Sequence, residues 1–461
     1  MIPVFNEVYS LDKACYDKGL NEYILMENAA RAMYEEIIKR DIKSVCIISG
    51  AGNNGADGIA LARMLLGICE VHLFLPMGVK SQMAKYQFEV YKNYNGEYSE
   101  YTPTKIKAYD CYVDAIFGSG LKGDLDNKIN NIIKALNKRD GFKLACDIPT
   151  GLDEKGDFRG EVFKADVTVT MGAMKLALYS DFAKDYVGKV KIANLGVSFK
   201  NYIKKSKYFL LQKNDLQLPK RKKLNSHKGT YGHLGVLVGE KEGAGVISSL
   251  AGLNFGAGLV TCITKEKIQI PYELMHDYQI SDKFSAIAFG MGMGNFYDDE
   301  INKLSKLDIP MVIDADMFYK EEIKLFLDKK VVLTPHPKEF SSLLKITGIG
   351  EYSIDEIQKN RFNLSLEFSK KYPKVVLLLK GANTIIAYKN QIYINTFGTP
   401  ALSKGGSGDV LAGMIGSLLA QHYHPLKATI NASIAHSLAG DIQPNYSLTP
   451  IKLINNLSKF A

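Results

Sequence analysis

Two glycine-rich turns of different kinds carry the residues best suited to chemistry. The first runs Gly50-Ala51-Gly52-Asn53-Asn54-Gly55-Ala56-Asp57-Gly58, directly after the apolar run Val45-Cys46-Ile47-Ile48. The second is Lys404-Gly405-Gly406-Ser407-Gly408-Asp409, directly before an apolar stretch that begins at Val410. A turn that opens a helix offers free N–H groups and the positive end of the helix dipole, which together hold phosphate. Each turn also carries an acidic residue, so each combines anion binding with acid/base work. The chain reads as two active sites on two nucleotide-handling domains.

Other loops add to both sites. In the first half, Asp114-Ala115-Ile116-Phe117-Gly118-Ser119-Gly120-Leu121-Lys122-Gly123-Asp124 and Asp147-Ile148-Pro149-Thr150-Gly151-Leu152-Asp153 each follow an apolar run. With the first turn they bring Asn, Asp and Thr oxygens to successive strand ends, a set able to build a cation site over an anion-binding floor. In the second half, Lys380-Gly381-Ala382-Asn383-Thr384 suits a nucleotide cradle made of backbone groups and a lysine. Asp409 is placed to take a proton from a hydroxyl that attacks a phosphoryl group held on the turn. Asp314 and Asp316 end an apolar run two residues apart, hence on one face of a strand, an arrangement suited to magnesium. His336 stands between Pro335 and Pro337, whose restricted backbones fix the imidazole as a ligand contact. Each feature has a structural alternative: a tight strand-to-helix turn, a cap or turn aspartate at Asp147, an acidic first helical turn at Asp409, a solvated strand end, a structural histidine.

The elements that must position these loops are legible as alternation. Apolar residues recur on one helical face from Glu22 to Lys39. The runs Val45–Ile48, Val71–Leu75, Cys111–Phe117, Leu144–Ile148 and Val167–Met171 are separated by helix-length segments, as in βαβ units around a parallel sheet. The second half repeats the pattern at Leu234–Val238, Leu259–Ile263, Ala286–Phe289, Met311–Ile313, Val331–Leu333 and Val375–Leu379. Antiparallel edge strands are expected at Thr384–Tyr388 and Gln391–Ile394, and an amphipathic helix at Val410–Ala420, too short to span a bilayer. Ligands then bind at the carboxyl ends of the strands.

A chain of 461 residues exceeds what one core usually supports. The pattern breaks over a basic segment, so domains are expected at 1–205 and 229–461, with a linker at 206–228. The net charge of +9 is mild for this length, and the run Lys220-Arg221-Lys222-Lys223 lacks aromatic interleaving, so it reads as a solvated segment and not a nucleic-acid patch. The six cysteines show no CxxC pair and no Cys/His metal spacing, which points to a reducing compartment. Neither a signal peptide nor a membrane span is expected, and the cytoplasm is the expected location.

The first half resembles the NAD(P)H-hydrate epimerase domain. The likeness rests on GxGNNGxDG, DxxFGxGLxG and DIPxGLD in this order, on Leu25-Met26-Glu27-Asn28-Ala29-Ala30 before them and on Ala165 to Lys175 after them. It implies a Rossmann-like three-layer sandwich, substrate loops at Asn53, Asn54, Gly55, Ala56 and Asp57 and from Gly118 to Asp124, and potassium near Asn54, Asp114 and Thr150. Asp147 would face the hydrated nicotinamide ring, where loss and return of a hydroxyl needs a proton donor and acceptor. The second half, through its GGSGD turn, the Lys380 turn, His336, Ser226-His227-Lys228-Gly229 and Gly256 to Thr261, resembles the ADP- or ATP-dependent NAD(P)H-hydrate dehydratases, a ribokinase-like α/β group. It implies nucleotide contacts from Lys380, Gly381, Ala382, Asn383, Thr384 and Gly408, and hydrate contacts from His336, Asp409 and the Gly290–Gly294 loop, Gly294 included. Met291, Lys338 and Lys404 depart from the family pattern and bear on loop geometry and nucleotide preference.

The implied chemistry is repair of hydrated NADH and NADPH. The first domain interconverts the R and S hydrates. In the second, Asp409 deprotonates the hydroxyl of the S hydrate, which attacks the terminal phosphate of ADP or ATP near magnesium. The ester then leaves, and ADP gives AMP and phosphate. Two alternatives stand beside this reading. A ribokinase-like vitamin kinase would phosphorylate a hydroxymethyl substrate and leave the first domain as a nucleotide-binding module. A nucleotide-sensing scaffold would bind without turnover. Assembly into a homo-oligomer is expected, because exposed faces of such sheets often associate.

Overall fold

The side-chain alternation of each apolar run decides what its strand can touch. In Val45-Cys46-Ile47-Ile48 all four residues are fully buried, with Val45 and Ile47 in one core cluster and Cys46 and Ile48 in another. Such a strand needs cover on both faces, which a parallel sheet flanked by helices supplies. A computed structural model describes residues 1–99, 107–295, 297–442 and 444–459. The chain divides into two compact units, Pro3–Ser206 and Lys207–Ala461 with Met1–Ile2.

In the first unit seven parallel strands lie in the order Tyr98–Ser99, Glu70–Phe74, Ser44–Ser49, Cys111–Ala115, Phe142–Cys146, Val167–Met171, Lys189–Ala193. Helices Glu22–Ile38 and Asn53–Leu65 pack on one face and Asn127–Asn137 on the other, giving three layers. The Asn21 side chain caps the first of these helices by accepting the Ile24 N–H at 3.0 Å. The strand Lys189–Ala193 was not among the expected elements, because its lysines interrupt the apolar run at the sheet edge.

The second unit holds parallel strands in the order Met275–Asp277, Leu259–Ile263, His233–Leu237, Ala286–Phe289, Met311–Ile313, Val331–Leu333, Val376–Leu379, followed by Thr384–Tyr388 and Gln391–Asn395 as an antiparallel hairpin. Two expectations need correction here. Tyr208–Leu210 pairs in parallel with Gln391–Asn395, so part of the segment read as linker is a strand of this sheet, and neither Thr384–Tyr388, paired on both sides, nor Gln391–Asn395 is an edge. Helix Ser407–Ala420 is buried all round from Val410 to Ala420 and not amphipathic. It packs so closely on helix Glu242–Asn254 that a Cβ at Gly413 would overlap the Ser248 carbonyl. Among the described residues no helix is long and apolar enough to cross a membrane.

Candidate active sites

In the first unit three strand ends converge. The turn from Ser44–Ser49 into Asn53–Leu65 needs glycine for contact reasons: a Cβ at Gly50 would overlap the Ile116 carbonyl, and one at Gly55 the Gly50 carbonyl. Gly118 lies between the other two loops, where a Cβ would stand 2.7 Å from Asn54 Oδ1 and 2.9 Å from Asp147 Oδ2. Asn54, Gly118 and Asp147 are therefore brought together. Asn53 turns outward and donates to Glu22 at 2.7 Å. Ser119, Gly120, Lys122, Gly123 and Asp124 are exposed along the rim, with Leu121 buried beneath, and Asp124 faces Arg159 at 3.9 Å.

Asp147 caps no helix. It takes a left-handed backbone (φ +69°) and its carboxylate points inward, accepting the N–H of Met171 at 3.1 Å and of Ser119 at 3.3 Å. Lys175, itself buried, forms an ion pair with it, held by parallel pairing of Val4 and Phe5 with Met174 and Lys175. Burial opposes ionisation of Asp147, but the Lys175 ammonium and the backbone donors outweigh it and hold the carboxyl below its ordinary range. Asp57, in helix Asn53–Leu65, is pushed the other way, well above the usual carboxylate range, by burial and then by the Asp147 charge. Lys175 has no role in the sequence reading; its one signal is a lysine inside Met171-Gly172-Ala173-Met174-Lys175-Leu176-Ala177-Leu178, where burial demands a counter-charge.

Asp114 and Thr150 are both fully buried and joined: Thr150 donates its N–H and its hydroxyl to Asp114, each at 2.7 Å, and Ile116 N–H adds a third bond at 3.1 Å. Among the described residues no basic side chain pairs with this carboxylate, and burial pushes its pKa up to about 6. Asn54 Nδ2 is buried with no partner among the described residues, and an amide flip would present an oxygen there. A buried acid without a counter-ion, bonded to the Thr150 hydroxyl, is a set of hard oxygen donors that fits a monovalent cation, and Asn54 borders Gly118 in the neighbouring loop.

In the second unit the loops after Met311–Ile313 and Val376–Leu379 meet the GGSGD turn. Gly406 takes φ +88° at the helix N-cap. Ser407 N–H is bonded to Lys404 O and Val410 N–H to Gly406 O, while the N–H groups of Gly408 and Asp409 between them take no acceptor among the described residues. These two are the free donors of the turn. A Cβ on Gly408 would lie 3.3 Å from Lys380 Nζ and 3.8 Å from Asp314 Oδ2, so the lysine turn does meet the glycine turn. Lys380 forms an ion pair with the buried Asp314 at 2.8 Å. Burial, followed by the Asp314 charge, raises the Asp409 pKa to about 6.

Two sequence expectations change at this site. Asp314 and Asp316 do not share a strand face: the strand stops at Ile313, Ala315 turns left-handed at φ +49°, and Ala315–Tyr319 is a 3-10 helix. Asp314 then pairs with Lys380, whereas Asp316 accepts the Gly294 N–H at 2.9 Å. Among the described residues no group of three or more His, Cys, Asp or Glu could hold a metal. His336 is first of all a helix cap, its Nδ1 accepting the Glu339 N–H at 3.2 Å while Glu339 accepts the His336 N–H at 2.8 Å. Burial and Lys380 lower its pKa, so the imidazole is neutral, while burial raises Glu339 to about 7; His336 Nε2 lies 3.2 Å from Glu339 Oε1. The imidazole remains half-exposed beside the site. Gly294 lies next to a cavity of about 420 Å³ lined by Glu240, Lys241, Asn295 and Lys320.

Comparison with known proteins covers both units. Residues 22–177 match the family described as YjeF-related protein N-terminus, and residues 234–459 match the NAD(P)H-hydrate dehydratase family. The bifunctional NAD(P)H-hydrate repair enzyme Nnr of Helicobacter pylori is 45% identical over all of this chain and all of its own length. Its namesake in Coxiella burnetii is 30% identical over 94% of this chain and 93% of its own. Among solved structures, the ADP/ATP-dependent NAD(P)H-hydrate dehydratase of Bacillus subtilis co-crystallized with ATP/Mg2+ is 27% identical, covers 52% of this chain and 92% of its own, and superposes with a TM-score of 0.43. The chain belongs to the bifunctional NAD(P)H-hydrate repair enzymes, an epimerase domain followed by a nucleotide-dependent dehydratase domain.

Proposed function

We propose that the first domain epimerises hydrated NADH and NADPH on the Asp147–Lys175 pair, and that the second dehydrates the S hydrate with Asp409 as base. The hydrate carries its hydroxyl on the carbon next to the ring nitrogen. As the nitrogen lone pair expels that hydroxyl, the buried pair supplies one proton to the leaving oxygen. It takes one back from the water that adds to the opposite face of the planar iminium. Lys175 keeps Asp147 ionised and ready to accept, which a lone buried carboxylate would not be. The loops Asn53–Asp57 and Gly118–Asp124 border the pair and would hold the substrate. Asn54, Asp114 and Thr150 would hold potassium, which would neutralise the buried Asp114 and anchor the two loops.

In the second domain Asp409 takes the hydroxyl proton and the oxygen attacks the terminal phosphorus of ADP, releasing AMP. The N–H groups of Gly408 and Asp409 receive the charge that develops on the phosphoryl oxygens. The ring nitrogen then expels phosphate, and loss of a proton from the neighbouring carbon restores the dihydronicotinamide. Lys380 to Thr384 would seat the nucleotide, with His336 and Gly294 on the hydrate side. The separated Asp314 and Asp316 do not support a metal cage, and no step depends on one; magnesium carried by nucleotide phosphates needs only one or two protein carboxylates.

The observation that carries this proposal is the joining of Asp409, raised to about 6, to two N–H groups free among the described residues and to the Lys380–Asp314 pair at the carboxyl end of the sheet. The test supplies acid-hydrated NADH with ADP or ATP and follows recovery of near-ultraviolet absorbance. Consumption of both epimers with phosphate release is expected. A stall with one epimer left would remove the epimerase assignment, and no recovery with either nucleotide would favour the vitamin-kinase alternative.

A further inference from the structure

The second domain buries a histidine that the chemistry above does not use. His436 lies in helix Pro425–Gly440 and is 7% exposed. Its Nε2 stands 2.9 Å from the carbonyl oxygen of Ser407 and 3.2 Å from the Ser407 hydroxyl. A carbonyl oxygen only accepts, so Nε2 carries the hydrogen, and the tautomer follows from the contact. Burial lowers the imidazole pKa to about 4, which keeps the ring neutral at physiological pH.

The carbonyl of Ser407 and the N–H of Gly408 belong to one peptide unit. That unit is planar and trans, so its oxygen and its hydrogen point in opposite directions. Gripping the oxygen from the core side therefore aims the Gly408 N–H outward, away from His436. The same contact polarises the peptide and strengthens its N–H as a donor. We propose that His436 is a positioning residue of the dehydratase: it holds the back of the peptide whose front donates to the transferring phosphoryl group. This rests on the assignment of the GGSGD turn as the phosphoryl site. It predicts that a group with no access to substrate sets the turnover rate through one backbone donor.

Full-length His436→Leu, His436→Gln and His436→Asn separate this role from simple packing. Gln carries its amide nitrogen near the position of Nε2, and Asn places it near Nδ1, out of reach of Ser407. Removing one oxyanion-type donor costs about 10²–10³ in kcat, and misaligning it costs less, so about a tenfold to hundredfold fall in dehydratase kcat is expected for Leu and for Asn. The Kd for ADP should move less than about threefold, Gln should return kcat to within about threefold of the parent, and epimerisation by the same preparations should be unchanged. Equal kcat in the parent and the Leu variant overturns the proposal, and so does a Gln variant as slow as Leu. Should the Leu variant lose its calorimetric transition, the Gln and Asn pair decides, and equal rates for those two overturn it. Asp409→Asn is assayed alongside: retained turnover there would sink the site assignment itself, whatever His436 does.

Discussion

Replacing Lys175 by Met removes the only basic partner that Asp147, a carboxylate 6% exposed, has among the described residues. In the parent the folded-state pKa of Asp147 lies below its ordinary value. The pair therefore adds stability above the unfolded carboxylate pKa, and that contribution is lost as pH falls through the folded value. In Lys175→Met only the two backbone N–H bonds still oppose burial and the pKa rises, so the ionised carboxylate destabilises at neutral pH. Breaking a buried pair from one side costs about 3–5 kcal/mol. Asp147 keeps its bonds from Met171 N–H at 3.1 Å and Ser119 N–H at 3.3 Å, which argues for the lower end, about 3 kcal/mol. For a domain of this size that is a fall of about 6–12 °C in the first domain's melting point. Calorimetry of the full chain at pH 7 and pH 5 should show a smaller loss at the lower pH, where Asp147 can protonate. The double variant Asp147→Asn/Lys175→Met, with an amide that tolerates the left-handed backbone, should recover part of the loss. Epimerase activity should vanish in both. A Lys175→Met protein within 1 kcal/mol of the parent at pH 7, or one whose loss grows on acidification, would refute the reasoning.

Three further outcomes are expected. Dehydratase kcat/KM should fall about tenfold per pH unit below about pH 6, because Asp409 must be ionised to accept a proton and its pKa lies at about 6; a profile flat to pH 5 would remove Asp409 as base. Gly118→Ala places a Cβ 2.7 Å from Asn54 Oδ1 and 2.9 Å from Asp147 Oδ2, so epimerase activity should fall at least about tenfold with dehydratase activity kept; stereochemical analysis of the remaining hydrate reads this directly. Potassium should raise the melting point of the first domain more than sodium does, and Asp114→Asn should abolish the difference, since it removes the buried charge that a cation would neutralise.

Much of this protein is local chemistry, and local chemistry is readable from neighbours. The alternation of apolar runs with helix-length segments specifies parallel strands covered on both faces, because a strand such as Val45–Ile48 has no polar side to show to water. Glycines at Gly50, Gly55, Gly118 and Gly406 mark where the backbone must turn left-handed or approach another chain segment, and the acids Asp147 and Asp409 follow from standing beside those turns.

The tertiary structure alone decided which charges meet. Asp147 finds Lys175 only because the fold brings them together, and Lys380 finds Asp314 across the one intervening strand, Val331–Leu333, of the second sheet. The period-two rule that placed Asp314 and Asp316 on one face failed at a single left-handed residue, Ala315, since the rule holds only while the strand continues. His436 was invisible in sequence because it lies 29 residues from its partner on a helix with no motif. The three residues Tyr208–Leu210 carry too little pattern to show a strand whose partner lies far along the chain. Residue types near a turn determine what that turn can bind; the pKa values and orientations that turn binding into chemistry depend on buried partners, and those are chosen by how the sheet is ordered.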